Sequence, residues 1–438
     1  MVKVRAVTAA VARKTCRVCK SAFTDNGRVK VFEAPQRINC FPATKEELDA
    51  TPVVPLEPVV CTECGVVQLR HTTDADSLFM KFWYRSGVTA TMREELKNVA
   101  LNAAMRAGLL DRSGSVLDIG CNDGTLLNSY HRRDRKFGYE PALNIACPDN
   151  IAVTRDYYGM KSGPTPGGPF DVITAVAMFY DVDDPVAFCR AVHRDLADDG
   201  VFVVQVNYLP SMMATNAVDN VSHEHLTYFS LRSLAAVLAQ AGLYVIEAEL
   251  RTINGGSLRV YASKKERAEQ VNSAWGAVLA NGDNVMDVLL YSESADCMST
   301  VSQMMAMAVR AKKVRESVRK YLDDVKGGLA LCGASTRGNT LLQFLGLGPE
   351  IIRCAGERDS AKHGRMTATG IRIVSEEEAR RVSMCMLVLP WHFRDEIVKR
   401  EYNYMCGGGT LLFPLPNPEE VYVVDGKVKS TRVGHARK

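Results

Sequence analysis

Ser222-His223-Glu224-His225-Leu226-Thr227-Tyr228-Phe229 is the densest run of acid–base groups in this 438-residue sequence, and it holds two of only eight histidines. A histidine with a carboxylate beside it can take or give a proton near neutral pH, the carboxylate orienting the ring or joining a relay. His223, Glu224 and His225 are therefore candidate catalytic residues. Metal binding is a weaker reading, because histidines at i and i+2 lack the helical register of H-E-x-x-H and no third ligand is evident nearby. A purely structural pair of histidines is the competing alternative.

A second run, Ser115-Val116-Leu117-Asp118-Ile119-Gly120-Cys121-Asn122-Asp123-Gly124, reads as a short apolar strand, a glycine turn and the start of a helix at Thr125. Glu140, 22 residues beyond Asp118 in Tyr139-Glu140-Pro141, falls at the end of the next strand, where a carboxylate can accept both hydroxyls of a ribose. Asp118 and Asp123 would repel a pyrophosphate but suit a cation, which favours S-adenosylmethionine over a dinucleotide. Asp118, Gly120, Asn122, Asp123, Gly124 and Glu140 are the expected cofactor contacts, and a methyltransferase is the leading class.

Of the thirteen cysteines, most stand singly inside apolar segments, as expected of free thiols in a reducing compartment. Cys16, Cys19, Cys61 and Cys64 differ. They form two C-x-x-C pairs, with Gly65 supplying a tight turn after the second, and two such pairs complete a tetrahedral thiolate site for structural zinc. Cys40, between the pairs, is a spare thiol or a less favoured ligand.

The elements that must position these groups follow from pattern. Strands are expected at Ser115 to Ile119, Lys136 to Glu140, Asp171 to Val176 and Gly200 to Val206, alternating with helices, which implies a parallel sheet covered on both faces. A helix opened by Asp184-Pro185 is expected to run until Asp199-Gly200, and Ser230 should cap another that ends before Gly242. Residues 264–327 read as a largely helical connector, with a basic amphipathic stretch from Ala306 to Lys326 taken as a solvated face. Gly328 to Asn339 repeats the strand, turn and helix start, followed by buried strands at Met384 to Leu389 and Thr410 to Phe413. Ser335, Thr336 and Arg337 at that helix start would suit a phosphate. Asn254-Gly255-Gly256-Ser257 can bring backbone amides close to a substrate. The residues after Asp425 are polar and basic and read as a flexible tail.

Composition narrows the partners. A balance of 54 basic against 50 acidic residues gives a net charge of only +4, which argues against a dedicated nucleic-acid binder. No stretch approaches the ~20 apolar residues needed to cross a bilayer. The sequence thus reads as that of a soluble, cytoplasmic protein with a small-molecule substrate, and it leaves the oligomeric state open.

Taken in order, the paired C-x-x-C, YRSGVTATM, VLDIGCNDG, GYEP, HEHLTYFS, INGGSLRV, GASTRGNTLLQ and LPWHFRDEI resemble the three-part sugar C-methyltransferase family, over residues from about Cys16 to Pro416. The resemblance implies an α/β chain with a zinc-binding module at 1–88, a class I Rossmann-like methyltransferase domain at 89–263, the connector, a second Rossmann-like, substrate-binding domain at 328–425 and a tail at 426–438. It implies transfer of methyl from S-adenosylmethionine to carbon 3 of a nucleotide-linked 4-keto deoxysugar. By motif match His225 is the base, Glu224 its supporting carboxylate, Tyr84 a hydroxyl near the reacting centre and His223 a secondary candidate. Asn254, Gly256, Ser257, Ser335, Arg337 and Asn339 then face the substrate cleft, with His392 a weaker candidate. Ser222 stands where the family resembles tyrosine, and Met178-Phe179-Tyr180-Asp181 replaces a histidine-containing strand end. N- or O-methylation, a nucleic-acid acceptor and a non-catalytic cofactor-binding fold are the alternatives.

Overall fold

The computed structural model describes residues 10–160, 163–269, 293, 297–325 and 328–435. Two seven-stranded sheets carry it. In the first, the strand order is Leu243–Arg251, Ser257–Lys264, Leu196–Asn207, Phe170–Val176, Ser115–Ile119, Arg135–Tyr139, Ala152–Thr154, and only Ser257–Lys264 runs against its neighbours. All five residues of Ser115–Ile119 are buried, as a strand covered on both faces requires. The order reverses between Ser115–Ile119 and Phe170–Val176, so the crevice for a ligand opens beyond their carboxyl ends, at Gly120 and Ala177.

The second sheet follows the order Ile373–Ser375, Cys354–Glu357, Leu329–Cys332, Cys385–Val388, Thr410–Phe413, Glu419–Val424, Lys427–Arg432, with its first five strands parallel. Its own reversal lies between Leu329–Cys332 and Cys385–Val388. The turn Gly333-Ala334-Ser335 and the segment Pro390-Trp391-His392 leave the sheet side by side there.

Three local expectations need correction. The helix from Pro185, capped by Asp184, stops at Asp195 rather than Asp199, because the Asp195 carboxylate takes the Tyr158 and Thr165 hydroxyls at 2.8 and 2.6 Å and the chain turns there into the strand from Leu196. Lys427–Arg432 is a paired strand and not a flexible tail: Asp425 and Gly426 both have positive φ (51° and 67°), the turn that joins two antiparallel strands tightly. Of the connector, residues 270–292, 294–296 and 326–327 lie outside the described residues, whereas Cys297–Asp324 is one long helix. That helix is more than a solvated link. Val301, Met304, Met307, Ala311, Val314, Val318 and Leu322 recur at three- and four-residue spacing and bury one stripe into the core shared by the second sheet, segment 209–221 and the N-terminal module.

The N-terminal module reaches across the chain. Its strands Pro58–Val60 and Val67–Leu69 form a three-stranded sheet whose third member is Thr227–Tyr228, directly after the histidine-rich run. The segment 37–42 inserts between that run and the helix Thr336–Leu345: Gln343 exchanges two hydrogen bonds with the Arg37 backbone (2.7 and 3.0 Å), and Met366 N–H donates to Pro42 O at 2.8 Å.

Candidate active site

The histidine loop is buried throughout, from Ser222 at 0% exposure to Glu224 and His225 at 6%, and it turns at His223-Glu224, where His225 N–H donates to Ser222 O at 3.1 Å. Side chains two apart in extended chain point the same way, and the turn here separates the two histidines instead. His223 turns to the N-terminal module, its Nε2 lying 3.1 Å from Val54 O. His225 faces the interior, with Nδ1 2.8 Å from Asn220 O and its ring 4.3 Å, centroid to centroid, from Tyr180. A carbonyl can only accept, so His225 Nδ1 carries the proton and Nε2 keeps its lone pair.

The electrostatics invert the usual order of these groups. Burial first, then the Arg337 charge, lower His225 to about 3 against the opposing Asn220 bond, and burial brings His223 to about 4. Burial raises Glu224 to about 7, opposed by Asn39, and burial together with Glu224 pushes Asp181 well above the carboxylate range. Both histidines are therefore neutral at neutral pH, and Asp181 keeps its proton.

Arg337 is held through all three of its guanidinium nitrogens. Its Nε and Nη2 donate to Asp219 Oδ2 at 3.0 and 2.7 Å, and its Nη1 donates to Asn254 O at 3.0 Å; Trp391 Nε1 donates to the same Asp219 oxygen at 3.1 Å. Asp219 is 1% exposed. This ion pair ties the second sheet's turn to the loops of the first, and it occupies the arginine expected to hold phosphate. His392, beside Trp391, also has its pKa driven well down by burial and by Arg337, and its Nδ1 is buried without a partner.

At the other crevice, Gly120 and Gly124 turn the backbone with φ of 73° and 75°, and a Cβ at Gly124 would sit 2.6 Å from Ile151 Cδ1. Glu140 is buried, with its carboxylate accepting Asn122 N–H at 2.9 Å and Ala142 N–H at 2.8 Å. Each oxygen keeps a free lone pair for a ribose hydroxyl. Asp118 lies beneath the loop: Thr174 Oγ1 donates to it at 2.6 Å, and burial raises it to about 7 against that bond, with Glu140 adding to the rise. Asp123 is spent locally, one oxygen taking Thr125 and the other Gly87 N–H at 2.8 Å. Asn122 holds Ser86 N–H at 3.0 Å and Tyr84 O at 3.1 Å. Residues 84–87 are thus strapped across the cofactor loop, leaving the Tyr84 side chain 41% exposed.

A family model for the C-methyltransferase C-terminal domain matches residues 252–416, and one for the methyltransferase domain matches residues 89–248. The C-methyltransferase NovU of Streptomyces niveus is 28% identical over 420 residues, covering 93% of this chain and 96% of that protein. Residues 252–416 thus match a C-methyltransferase C-terminal domain and residues 89–248 a methyltransferase domain. The chain is an S-adenosylmethionine-dependent methyltransferase. Solved structures overlap a smaller part of it. The mitomycin 7-O-methyltransferase MmcR is 19% identical, covering 40% of this chain and 55% of that one with a TM-score of 0.33. The CcbJ methyltransferase of Streptomyces caelestis is 14% identical, covering 39% and 89% with a TM-score of 0.31.

In this methyltransferase the four cysteines of the paired motif converge, as expected. Their sulfurs all lie within 4.8 Å of one another, with Cys16–Cys64 at 3.6 Å and Cys19–Cys61 at 3.5 Å. Thiolates on a tetrahedral zinc at about 2.3 Å stand about 3.8 Å apart, so the cluster has the dimensions of such a site. Cys40 pairs with Thr51 instead, at 3.5 Å. Among the described residues no other group of three or more His, Cys, Asp or Glu is spaced to hold a metal.

The expected acceptor contacts divide. Asn339 and Ser257 do not reach the cleft: Asn339 is 1% exposed, its amide joining Cys40 O and Ala368 N–H at 2.9 and 3.0 Å, and Ser257 donates to Ile253 O at 3.0 Å. Gly256 lies against Ser211, where a Cβ would approach to 2.5 Å, and Asn254 contributes the carbonyl that holds Arg337. Ser335 Oγ accepts Gly338 N–H at 3.0 Å as an N-cap, and Ser335 lines a cleft of about 150 Å³ with Trp83, Tyr84, Ala334, Glu357 and Lys362. Glu357 and Lys362 were missed from sequence. Glu357 accepts Ala334 N–H at 2.8 Å, as Glu140 accepts Asn122 N–H in the first crevice. It follows Gly333 by 24 residues, a spacing that would have revealed it.

Proposed function

We propose that this methyltransferase adds a methyl group to a carbon adjacent to a ketone in a nucleotide-linked deoxysugar, with His225 as the base. The observation that carries the reading is the neutral His225, fixed through Nδ1 by Asn220 O and left with a free Nε2 in a buried pocket where both sheets meet. A ketone acidifies the neighbouring C–H, and His225 Nε2 takes that proton to become imidazolium. The carbon that loses it forms a new C–C bond as the S–CH3 bond breaks and its electron pair stays on sulfur. S-adenosylmethionine supplies the electrophilic methyl. Glu224 supports the base and Tyr84 presents a hydroxyl across the cleft, with His223 held in reserve by its contact to Val54. Asn122, Glu140 and the Gly120–Gly124 turn hold the cofactor, with Asp118 and Asp123 shaping that loop. The nucleotide sits at the Gly333–Thr336 turn, with Ser335, Arg358 and Lys362 facing its phosphates.

The same reading divides the chain at 88/89, 263/264 and 327/328, fills the cysteine cluster with structural zinc, and places the protein in the cytoplasm, where its free thiols stay reduced. Incubation with labelled S-adenosylmethionine and a panel of nucleotide 4-ketosugars, with product analysis by mass spectrometry and NMR, tests it. Label on carbon is expected; label on oxygen or nitrogen would overturn the carbon assignment.

A further inference from the structure

The strand that positions His225 leads back to the cysteine cluster through one side chain. Gln68 is fully buried and central in the three-stranded sheet, with Val59 opposite on one side and Thr227 on the other. Its two amide atoms are both committed: Nε2 donates to Cys16 Sγ at 3.0 Å, and Oε1 accepts Arg17 N–H at 2.9 Å. A thiolate can only accept here and a backbone amide can only donate, so the amide cannot flip without losing both bonds. The backbone beside it carries the histidine loop, since Leu69 N–H donates to Leu226 O at 2.9 Å and Val67 pairs with Tyr228.

A second tie runs from the same corner. Arg17, next to Cys16 and fully buried, reaches Asp183 through Nε at 3.3 Å and Thr72 through Nη2 at 2.7 Å. Asp183 is three residues from Tyr180, the ring that lies against His225, and Leu226 N–H donates to Tyr180 O at 2.9 Å. Both walls around the imidazole therefore hang from residues that touch or adjoin one cysteine. In paired strands a slip of one residue turns every side chain to the opposite face, so the register of Thr227 against Gln68, together with the Leu226 backbone held by Leu69 and Tyr180, fixes where the chain enters the turn that carries His225.

We infer that Gln68 is a positioning residue for the base, and that the thiolate cluster, through Gln68 and Arg17, sets the register of the histidine loop in addition to folding its own module. The inference rests on the reading of His225 as base only for its effect on turnover; the register itself can be observed without any acceptor.

Gln68→Met keeps the length of the side chain and removes both hydrogen bonds. In the full chain labelled with 15N-histidine, long-range 1H–15N spectra report the His225 tautomer, while metal analysis and calorimetry report zinc content and S-adenosylmethionine affinity. The variant is expected to keep its zinc and its cofactor affinity, to lose the single Nδ1–H signature of His225, and to methylate the 4-ketosugar accepted by the native protein about 100-fold more slowly, as misplacing a reacting group by an ångström does. An unchanged His225 spectrum with zinc retained overturns the inference. Should Gln68→Met fail to fold, withdrawing zinc from the native protein with a chelator gives the answer: the His225 signals should change in step with metal release while cofactor affinity persists. Signals indifferent to metal loss, or lost together with cofactor binding, refute it. If His225→Ala retains turnover while Gln68→Met shifts the His225 spectrum, the base assignment fails and the register inference stands.

Discussion

Glu224→Gln should make the protein more stable at alkaline pH and leave it nearly unchanged in acid. Burial moves the Glu224 carboxyl from its ordinary 4.5 to about 7, and the residue is 6% exposed, so solvent does little to relieve it. Below pH 4.5 the folded and unfolded chains both hold the proton and nothing is lost. Between 4.5 and 7 the unfolded chain ionises while the folded one does not, so stability falls as pH rises, and above 7 the full cost stands. That cost is about 3 kcal/mol at pH 8 and about 1 kcal/mol at pH 5. Glutamine has the same shape and no proton to lose, and it removes the cost. Thermal melts of both proteins at the two pH values read the difference, and at about 2–4 °C per kcal/mol for a cooperative unit of 150–250 residues the variant should melt about 6 °C or more higher at pH 8. Parallel melting at both pH values would show that Glu224 is not held protonated. The same shift separates the two candidate bases. If His225, near 3, takes the proton, kcat/KM of the native enzyme stays flat from pH 8 to 5. If Glu224 must be ionised to do so, it falls about tenfold per pH unit below 7.

Other outcomes follow from the same contacts. His225→Ala should lower turnover by about 100- to 10,000-fold with cofactor affinity intact, measured by product formation and calorimetry. Glu140→Ala should weaken S-adenosylmethionine binding, through the Asn122 amide it now holds and the ribose it would meet, with a smaller effect on the saturated rate. Asp219→Ala leaves Arg337 and Trp391 Nε1 without their shared acceptor in a buried site, and should destabilise the chain by about 3–5 kcal/mol in denaturant titration.

The parts legible in the sequence were those written in local pattern. The apolar run Ser115–Ile119 before Gly120, the helix starts at Asp184 and Ser230, and the two C-x-x-C pairs each depend on neighbours a few residues away, and each stands where the pattern put it. What remained hidden depends on partners far along the chain. Arg337 looked like a phosphate ligand because its local setting is a helix start, yet Asp219, 118 residues earlier, had already claimed it. Asn339 and Ser257 were placed at the cleft by the resemblance alone, and their amide and hydroxyl are taken up by Cys40, Ala368 and Ile253. Gln68 gave no signal at all, since its role arises from strand register with Thr227. The turn at Asp425-Gly426 was readable, and the basic composition around it obscured a hairpin.

The strap at residues 84–87 touches the Gly120–Gly124 loop and the cleft at the second sheet at once. Its backbone is bonded to Asn122 and Asp123 in the cofactor loop, while Trp83, Tyr84 and Arg85 form one wall of the cleft whose other wall is the Gly333–Thr336 turn. A shared wall makes the two occupancies thermodynamically linked. Whatever factor a bound cofactor applies to acceptor affinity by shifting the strap, the acceptor must return to the cofactor. Titrating one ligand at rising fixed concentrations of the other would therefore trace a single coupling constant from either side.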